Sequence, residues 1–270
     1  MELALEYERP LSERLRWFAY GGPVGEPALG PVAFPHRISA LVNPMAPITH
    51  HWLDATHITF GVVTAGVRSE QWRVEASVFN GREPDENRTD FDLAAFDSYS
   101  ARVSVAPTPS TVVQVSAGWL NDAEQEPGFP RNDVTRVTAS ASYHRALGAS
   151  ALWASTVAWG MNDEPVATTH AGLLESTLTV RDRHVGFMRM ELVGKPAHDL
   201  HVHESNDVFT VGKIQLGYAY YLRPTSGLQM GLGGSVSGSF VSPALAPRYS
   251  GRVAPGVTVF LTLRPSAHSM

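Results

Sequence analysis

The chain has no cysteine, which excludes disulfides and cysteine metal sites and suits a protein that crosses an oxidising compartment. Its only lysines are Lys195 and Lys213 and its formal net charge is -5, so no basic patch points to nucleic acid. Hydrophobic residues make up 43% and mean hydropathy is -0.10, and nothing resembles the roughly 20 apolar residues of a membrane-spanning helix. A signal peptide is missing as well, since residues 1–4 open directly into an alternating segment without a basic or an apolar leader region. With neither a linker nor a capped helical stretch, residues 1–270 read as one domain.

What is present is alternation. Around residues 2–9 and 14–20, Leu3, Leu5, Tyr7, Leu15, Trp17 and Ala19 fall on one side, and Glu2, Glu6, Glu8, Arg14 and Arg16 on the other. In residues 72–79, Trp72, Val74, Ala76 and Val78 oppose Arg73, Glu75 and Ser77. Near the C-terminus, Ile214, Leu216, Tyr218 and Tyr220 oppose Lys213, Gln215, Gly217 and Ala219, and Val257, Val259, Leu261 and Leu263 oppose Thr258, Thr262 and Arg264. Period 2 gives a strand with one apolar face and one wet face, as a barrel wall between lipid and an aqueous lumen requires.

The connections alternate too. Short segments at 10–13, 68–71, 107–110, 145–149, 181–183 and 222–227 are followed in turn by long ones at 21–56, 80–97, 121–133, 161–170, 194–207 and 240–254. In outer-membrane barrels short turns face the periplasm and long loops face outside, so the pattern assigns topology and orientation together. It predicts an all-β antiparallel transmembrane β-barrel with about 13 strands in this chain, and about 14 in a full-length protein because bacterial single-chain barrels have even counts. On that expectation an N-terminal strand and a signal peptide precede Met1, which is then an internal methionine.

Soluble sandwiches and closed soluble barrels also alternate. Against them, Trp17, Trp72, Trp119, Trp153, Trp159, Tyr99, Tyr143 and Tyr218 sit mostly near strand ends, as interfacial girdles do. Small residues on the opposite face, such as Ser116, Gly118, Ser140, Ser142, Gly231, Gly233 and Ser235, would pack a soluble core poorly. The chain departs from the barrel pattern at its end, where Phe260 is the aromatic nearest to Met270.

The stretches His50-His51-Trp52-Leu53-Asp54-Ala55-Thr56-His57 and Phe79-Asn80-Gly81-Arg82-Glu83-Pro84-Asp85-Glu86, with Leu174-Glu175-Ser176, resemble those of a group of uncharacterised bacterial outer-membrane barrel proteins. The likeness runs over most of the chain, and in those relatives the sequence continues upstream of the first strand. It implies a barrel in the outer membrane and supplies no catalytic residues.

Several groups are candidates for function. The loop 21–56 holds Pro23, Pro27, Pro31, Pro35, Pro44 and Pro47 with apolar Leu29, Val32, Phe34, Ile38, Leu41 and Met45; a stiff, partly apolar loop either folds into the barrel as a constriction or packs outside on its neighbours. His50, His51, Asp54 and His57, with His36 upstream, are candidate Zn²⁺ or Cu²⁺ ligands, although no HExxH spacing is present, and His198, His201, His203 and Glu204 form a second cluster. The loop 80–97 sets Glu83, Asp85, Glu86, Asp90, Asp92 and Asp97 against Arg82 and Arg88, oxygen ligands suited to Ca²⁺ or to bridging lipopolysaccharide phosphates, with Asn87-Arg88-Thr89 as a glycosylation-like triplet of little meaning in a bacterial protein. On the wet face, Arg73, Glu75, Arg102, Arg136, Glu175, Arg189, Glu191 and Lys213 are the lumen-lining candidates, set either to filter solutes or to pair into a plug.

These features favour a porin-like outer-membrane channel for small solutes or ions. Its expected partners are outer-membrane lipid, lipopolysaccharide and the solutes themselves, with no nucleic acid and no cofactor. The alternatives are an outer-membrane enzyme, in which His50, His51, Asp54 and Ser39 would supply base, orienter and nucleophile without any G-x-S-x-G motif, and a receptor whose outside loops bind a ligand or metal.

Overall fold

The computed structural model describes residues 2–84, 92–124, 132–200, 202 and 207–265. They form β1 (Leu3–Pro10), β2 (Arg16–Val24), β3 (Val62–Arg68), β4 (Trp72–Phe79), β5 (Ser98–Thr108), β6 (Thr111–Glu124), β7 (Asn132–Ala146), β8 (Ala151–Asp163), β9 (Thr168–Val180), β10 (His184–Pro196), β11 (Val208–Tyr221), β12 (Leu228–Val241) and β13 (Val253–Pro265). These make one 13-stranded sheet whose order follows the sequence from β1 to β13. A short helix α1 (His50–Leu53) and a 3-10 turn (Ala55–His57) lie in the first long loop.

The expected strand count holds, and the β3–β4, β4–β5 and β9–β10 connections fall where the alternation placed them. The β9–β10 turn is built on Arg181 and Asp182, both with φ near +50°, the mirror-type geometry that matches strand twist in a tight hairpin. Most of the other expected boundaries move by one to four residues as strands run on into the expected connections, and two of these shifts matter most. β2 runs on to Val24, so the first long loop spans 25–61 instead of 21–56. The β8–β9 connection shrinks from the expected 161–170 to residues 164–167, closed by the Glu164 N–H on Ala167 O at 3.2 Å, which breaks the short/long alternation at that point. A ladder needs only backbone donors and acceptors, so strands continue past the last residue that alternates.

The chain forms two compact units. The first comprises Met1–Ala33, His50–Ala141 and Ala158–Ala171. Its register lines residues into rows across β2–β6. One face carries Trp17, Val67, Val74, Val103 and Val115 in one row, Ala19, Ala65, Ala76, Ala101 and Ala117 in the next, and Val63, Val78, Tyr99 and Trp119 in a third. This face is mostly exposed, Tyr99 at 58% and Val74 at 46%. Cross-strand ring pairs such as Tyr99 with Trp119, 5.4 Å between centroids, contribute on the order of 0.2–1 kcal/mol each. The opposite face carries Arg16, Arg68, Arg73, Ser104 and Gln114, then Phe18, Gly66, Glu75, Arg102 and Ser116, then Tyr20, Thr64, Ser77, Ser100 and Gly118. Toward the long-loop ends it closes on an apolar cluster of Leu29, Val62, Phe79, Leu120, Ala123 and Val134.

The second unit comprises Phe34–Thr49, Ser142–Val157 and Gly172–Met270. Its exposed face again alternates, with Leu216, Val236 and Val257 in register across β11–β13. Its covered face holds Val42 from the first long loop among Val185, Phe187, Ala219 and Tyr221. A separate cluster of Ala197, Val202, Val241 and Leu245 packs the ends of its outer loops. In β13 no residue is buried on either face.

Candidate functional site

In the second unit, residues 34–49 are fastened to the polar face of the wall by a series of buried bonds. Glu175 on β9 receives the Arg37 Nε–H at 2.7 Å and the Arg189 Nε–H at 3.2 Å, so one carboxylate holds a loop guanidinium and a wall guanidinium together. The Ser39 hydroxyl donates to the same carboxylate at 2.8 Å and is hydrogen-bonded to Thr156 at 2.8 Å, while Thr177 donates to Ser39 O at 2.7 Å. Arg189 Nη1 reaches Met45 O at 2.6 Å. Asn43 donates to Gln215 at 2.8 Å, and Glu191 accepts the Thr49 N–H and hydroxyl at 3.2 and 3.1 Å. Charge-assisted bonds of this kind are among the stronger ones, and burial keeps water from competing.

In the first unit the same chemistry holds the two flanks of the loop. The Ala28 N–H donates to Ser77 Oγ at 2.7 Å and the Gly30 N–H to Ser116 Oγ at 2.8 Å. Arg102 bridges Glu75 Oε1 and Gly30 O, both at 2.9 Å, and Arg73 meets Glu75 Oε2 at 2.8 Å. Gly30 has φ +80° and lies so close to Leu53 that an added Cβ would come within 1.9 Å of Leu53 O, a position only glycine fills without strain. Behind α1, the Trp52 indole donates to Thr169 Oγ1 at 2.8 Å, Asn162 donates to His51 O at 3.2 Å, and Arg136 donates to Asn162 Oδ1 at 2.8 Å.

The eight wall residues singled out by alternation therefore differ in setting. Glu75, Arg136, Glu175, Arg189 and Glu191 are buried, whereas Arg73, Arg102 and Lys213 keep partial exposure. Arg73 lies over the fully buried Phe18 ring, 4.1 Å from its centroid, and Arg68 lies 5.5 Å from the same ring, stacking that attracts a cation without a carboxylate. Nearer the short turns, Arg68 pairs with Glu6 and Glu8, and Arg16 with Glu8. A cavity of about 1160 Å³ opens there, with Glu8, Arg14, Arg16, Arg68 and Glu70 in its lining.

The histidine cluster is partly committed to the chain itself. His50 Nδ1 lies 2.7 Å from Asp54 Oδ1, His57 Nδ1 lies 3.1 Å from Asp54 O, and the His50 ring stands edge-on to those of His51 and His57. Among the described residues, no three His, Cys, Asp or Glu side chains are placed to hold a metal ion. His201, His203 and Glu204 lie outside the described residues, as do Asp85, Glu86, Asn87, Arg88, Thr89 and Asp90. What is described of that acidic loop centres on Arg82, whose guanidinium meets Asp97 at 2.8 Å and Asp122 at 3.3 Å. The Arg82 bonds hold the Asp97 carboxyl below its usual range. The Ser39 hydroxyl, considered above as a nucleophile, faces a carboxylate and a threonine in its own unit. Sequence reasoning missed Arg37, Asn43 and Thr49, which lie in a loop without period, and placed Gln215 on the polar face without making it a candidate.

Solved structures that combine wide coverage with a TM-score above one half include the following three. An anion-selective porin from Comamonas acidovorans is 12% identical, with a TM-score of 0.52 over 96% of this chain and 86% of its own. OccAB2 of Acinetobacter baumannii is 9% identical, with a TM-score of 0.56 over 100% of this chain and 67% of its own. The outer-membrane channel DcaP of Acinetobacter baumannii is 8% identical, with a TM-score of 0.54 over 96% and 82%. The fold is that of an outer-membrane β-barrel. No family model and no curated protein matches the sequence. In a barrel of this kind the exposed Val, Ala and aromatic rows belong to the outer face of the wall, and the rows that bind the first loop to the inner face.

Proposed function

We propose that this chain is a bacterial outer-membrane channel for small solutes, and that its first long loop restricts the passage by folding onto the inner wall. The observation that carries the reading is the contrast across one sheet. The row Trp17, Val67, Val74, Val103 and Val115 has behind it the row Arg16, Arg68, Arg73, Ser104 and Gln114. A soluble sandwich would bury the first and expose the second; here the apolar row is the more exposed, as a lipid-facing surface is. Membrane lipid, with lipopolysaccharide in the outer leaflet, is the environment this reading assigns to the exposed rows. The loop's contribution follows from its bonds to Arg102, Ser77 and Ser116 in the first unit and to Glu175, Glu191 and Gln215 in the second.

The test is single-channel recording in a planar bilayer, after folding has been confirmed by a heat-dependent shift in gel migration. Discrete conductance steps support the reading. Folded protein that never conducts, even after Glu175→Gln and Arg37→Gln loosen the loop, would rule out a channel.

A further inference from the structure

The short-turn ends of the two units differ in charge. In the first unit, the turns and the five residues at that end of each strand hold Arg9, Arg14, Arg16, Arg68 and Arg73, matched in number by Glu6, Glu8, Glu13, Glu70 and Glu75. Three of these arginines are paired, Arg16 with Glu8, Arg68 with Glu6 and Arg73 with Glu75. To the same depth in the second unit, Arg145, Arg181, Arg183, Arg223 and Arg264 stand against one carboxylate, Asp182. The nearest carboxylates further along β9 and β10, Glu175 and Glu191, are buried on the covered face.

Backbone bonds gather these arginines on one rim. The Arg181 N–H donates to Ser150 O at 2.6 Å, which joins the β9–β10 turn to the β7–β8 turn beyond Arg145. The Tyr221 N–H donates to Arg183 O at 2.8 Å, which joins the same turn to the end of β11, two residues before Arg223. Arg145, Arg181 and Arg223 are exposed. Arg183 and Arg264 direct their donors at neutral oxygens, which leave the charge uncancelled. Arg183 donates to Tyr221 O at 3.1 Å and to the Tyr220 hydroxyl, and Arg264 to Gln229 Oε1 at 3.0 Å and Asp182 O at 2.6 Å.

The rim borders the exposed apolar face. The Arg183 guanidinium lies 5.0 Å from the centroid of the Tyr220 ring. Tyr220 is in register with His184 and shares its face with Tyr218 and Leu216, which are 49% and 55% exposed. His184 Nδ1 lies 2.7 Å from the Tyr218 hydroxyl. On β7, Arg145 follows Tyr143 by two residues and so shares its face, where the Tyr143 ring stands edge-on to Trp153 at 5.4 Å between centroids. Amphipathic rings beside cations, at the margin of an apolar surface, suit the headgroup level of a bilayer. Short turns mark the periplasmic end of such a barrel.

We propose that the short-turn rim of the second unit binds the phosphate headgroups of anionic phospholipids in the periplasmic leaflet, with Arg145, Arg181, Arg183 and Arg223 as its contacts. A guanidinium offers parallel N–H donors that fit a phosphate and stays charged at any working pH. The exposed row of Leu216 and Tyr218 continues from the rim and gives the acyl chains of the same lipid an apolar surface. The inference rests on the outer-membrane placement above and is independent of conductance.

The experiment places the whole chain in phosphatidylcholine vesicles and measures, by electron paramagnetic resonance, how much spin-labelled phosphatidylglycerol and spin-labelled phosphatidylcholine it immobilises. Phosphatidylglycerol should be favoured, by about fivefold where one arginine is engaged, and the preference should shrink in about 1 M salt. Arg145→Gln, Arg181→Gln and Arg223→Gln, all at exposed positions, should each lower it and together bring the two lipids close to parity. Arg14→Gln in the first unit should leave it unchanged. Equal immobilisation by unmodified protein that shows the heat-dependent gel shift overturns the inference while the barrel placement stands, as does a preference that survives the combined change. Parity accompanied by co-sedimentation with isolated peptidoglycan gives the rim to that polymer and overturns it too. Protein that never shows the gel shift overturns the membrane placement and the inference together.

Discussion

Arg37 and Glu175 lie 138 positions apart in sequence and meet at 2.7 Å, with side chains 3% and 1% exposed. Removing one partner of a buried pair leaves the other charged and unsolvated, which costs about 3–5 kcal/mol. Glu175→Ala removes the carboxylate that two buried guanidiniums share and should lower stability by that order, read as an earlier urea midpoint for loss of the compact band on a gel. Glu175→Gln, which keeps an acceptor oxygen in place, should cost less. Equal stability of the alanine variant and the unmodified protein would refute the pairing.

Gly30 joins three constraints: its positive φ, its N–H on Ser116 and its carbonyl under Arg102. Gly30→Ala forces a Cβ against the Leu53 carbonyl. The expected loss is about 1–3 kcal/mol, as for overpacking elsewhere, together with faster protease cleavage between residues 25 and 61. Unchanged cleavage would show that the loop is not held there.

Asp97 titrates below its usual value of 3.8 because Arg82 bonds to the charged form. A lowered folded-state value means that the unfolded chain binds protons more readily, so the pair's contribution is complete above the usual carboxylate value and fades as pH falls through the folded one. Protease resistance of the segment around Arg82 should therefore be flat from neutral pH down to about 5 and decline only in stronger acid. Asp97→Asn should remove that acid dependence; a decline already complete at pH 5 would contradict the assignment.

Trp52 is 2% exposed, whereas Trp72, Trp153 and Trp159 are 38%, 40% and 41% exposed on the outward face. In vesicles of brominated lipid the unmodified protein should lose much of its fluorescence. A variant retaining only Trp52, with the other tryptophans changed to phenylalanine, should lose little. Strong quenching of Trp52 would place α1 on the lipid side and undo the inner-face description.

The fold was legible because a wall with lipid on one side imposes period 2 on its strands, and Trp72 to Phe79 obey it residue by residue. Boundaries failed where that pressure ends. In β6 the last residues, Asn121, Asp122, Ala123 and Glu124, remain strand although three of the four are polar, and in β2 the Gly21, Gly22 and Pro23 run reads as a turn while remaining strand. Glu175 and Arg189 could be assigned to the inner face from the pattern alone. Their partner Arg37 could not, because an irregular loop has no period, and its register against β9 exists only once the chain has folded.

Phe18 is the aromatic ring of a row otherwise made of Gly66, Glu75, Arg102 and Ser116, with Arg73 stacked upon it. A ring holds a cation in place yet leaves its charge intact, unlike a second carboxylate at that position. Phe18 thus acts as a charge-neutral mount, so a leucine there would let Arg73 wander and blur the local field without altering the number of charges.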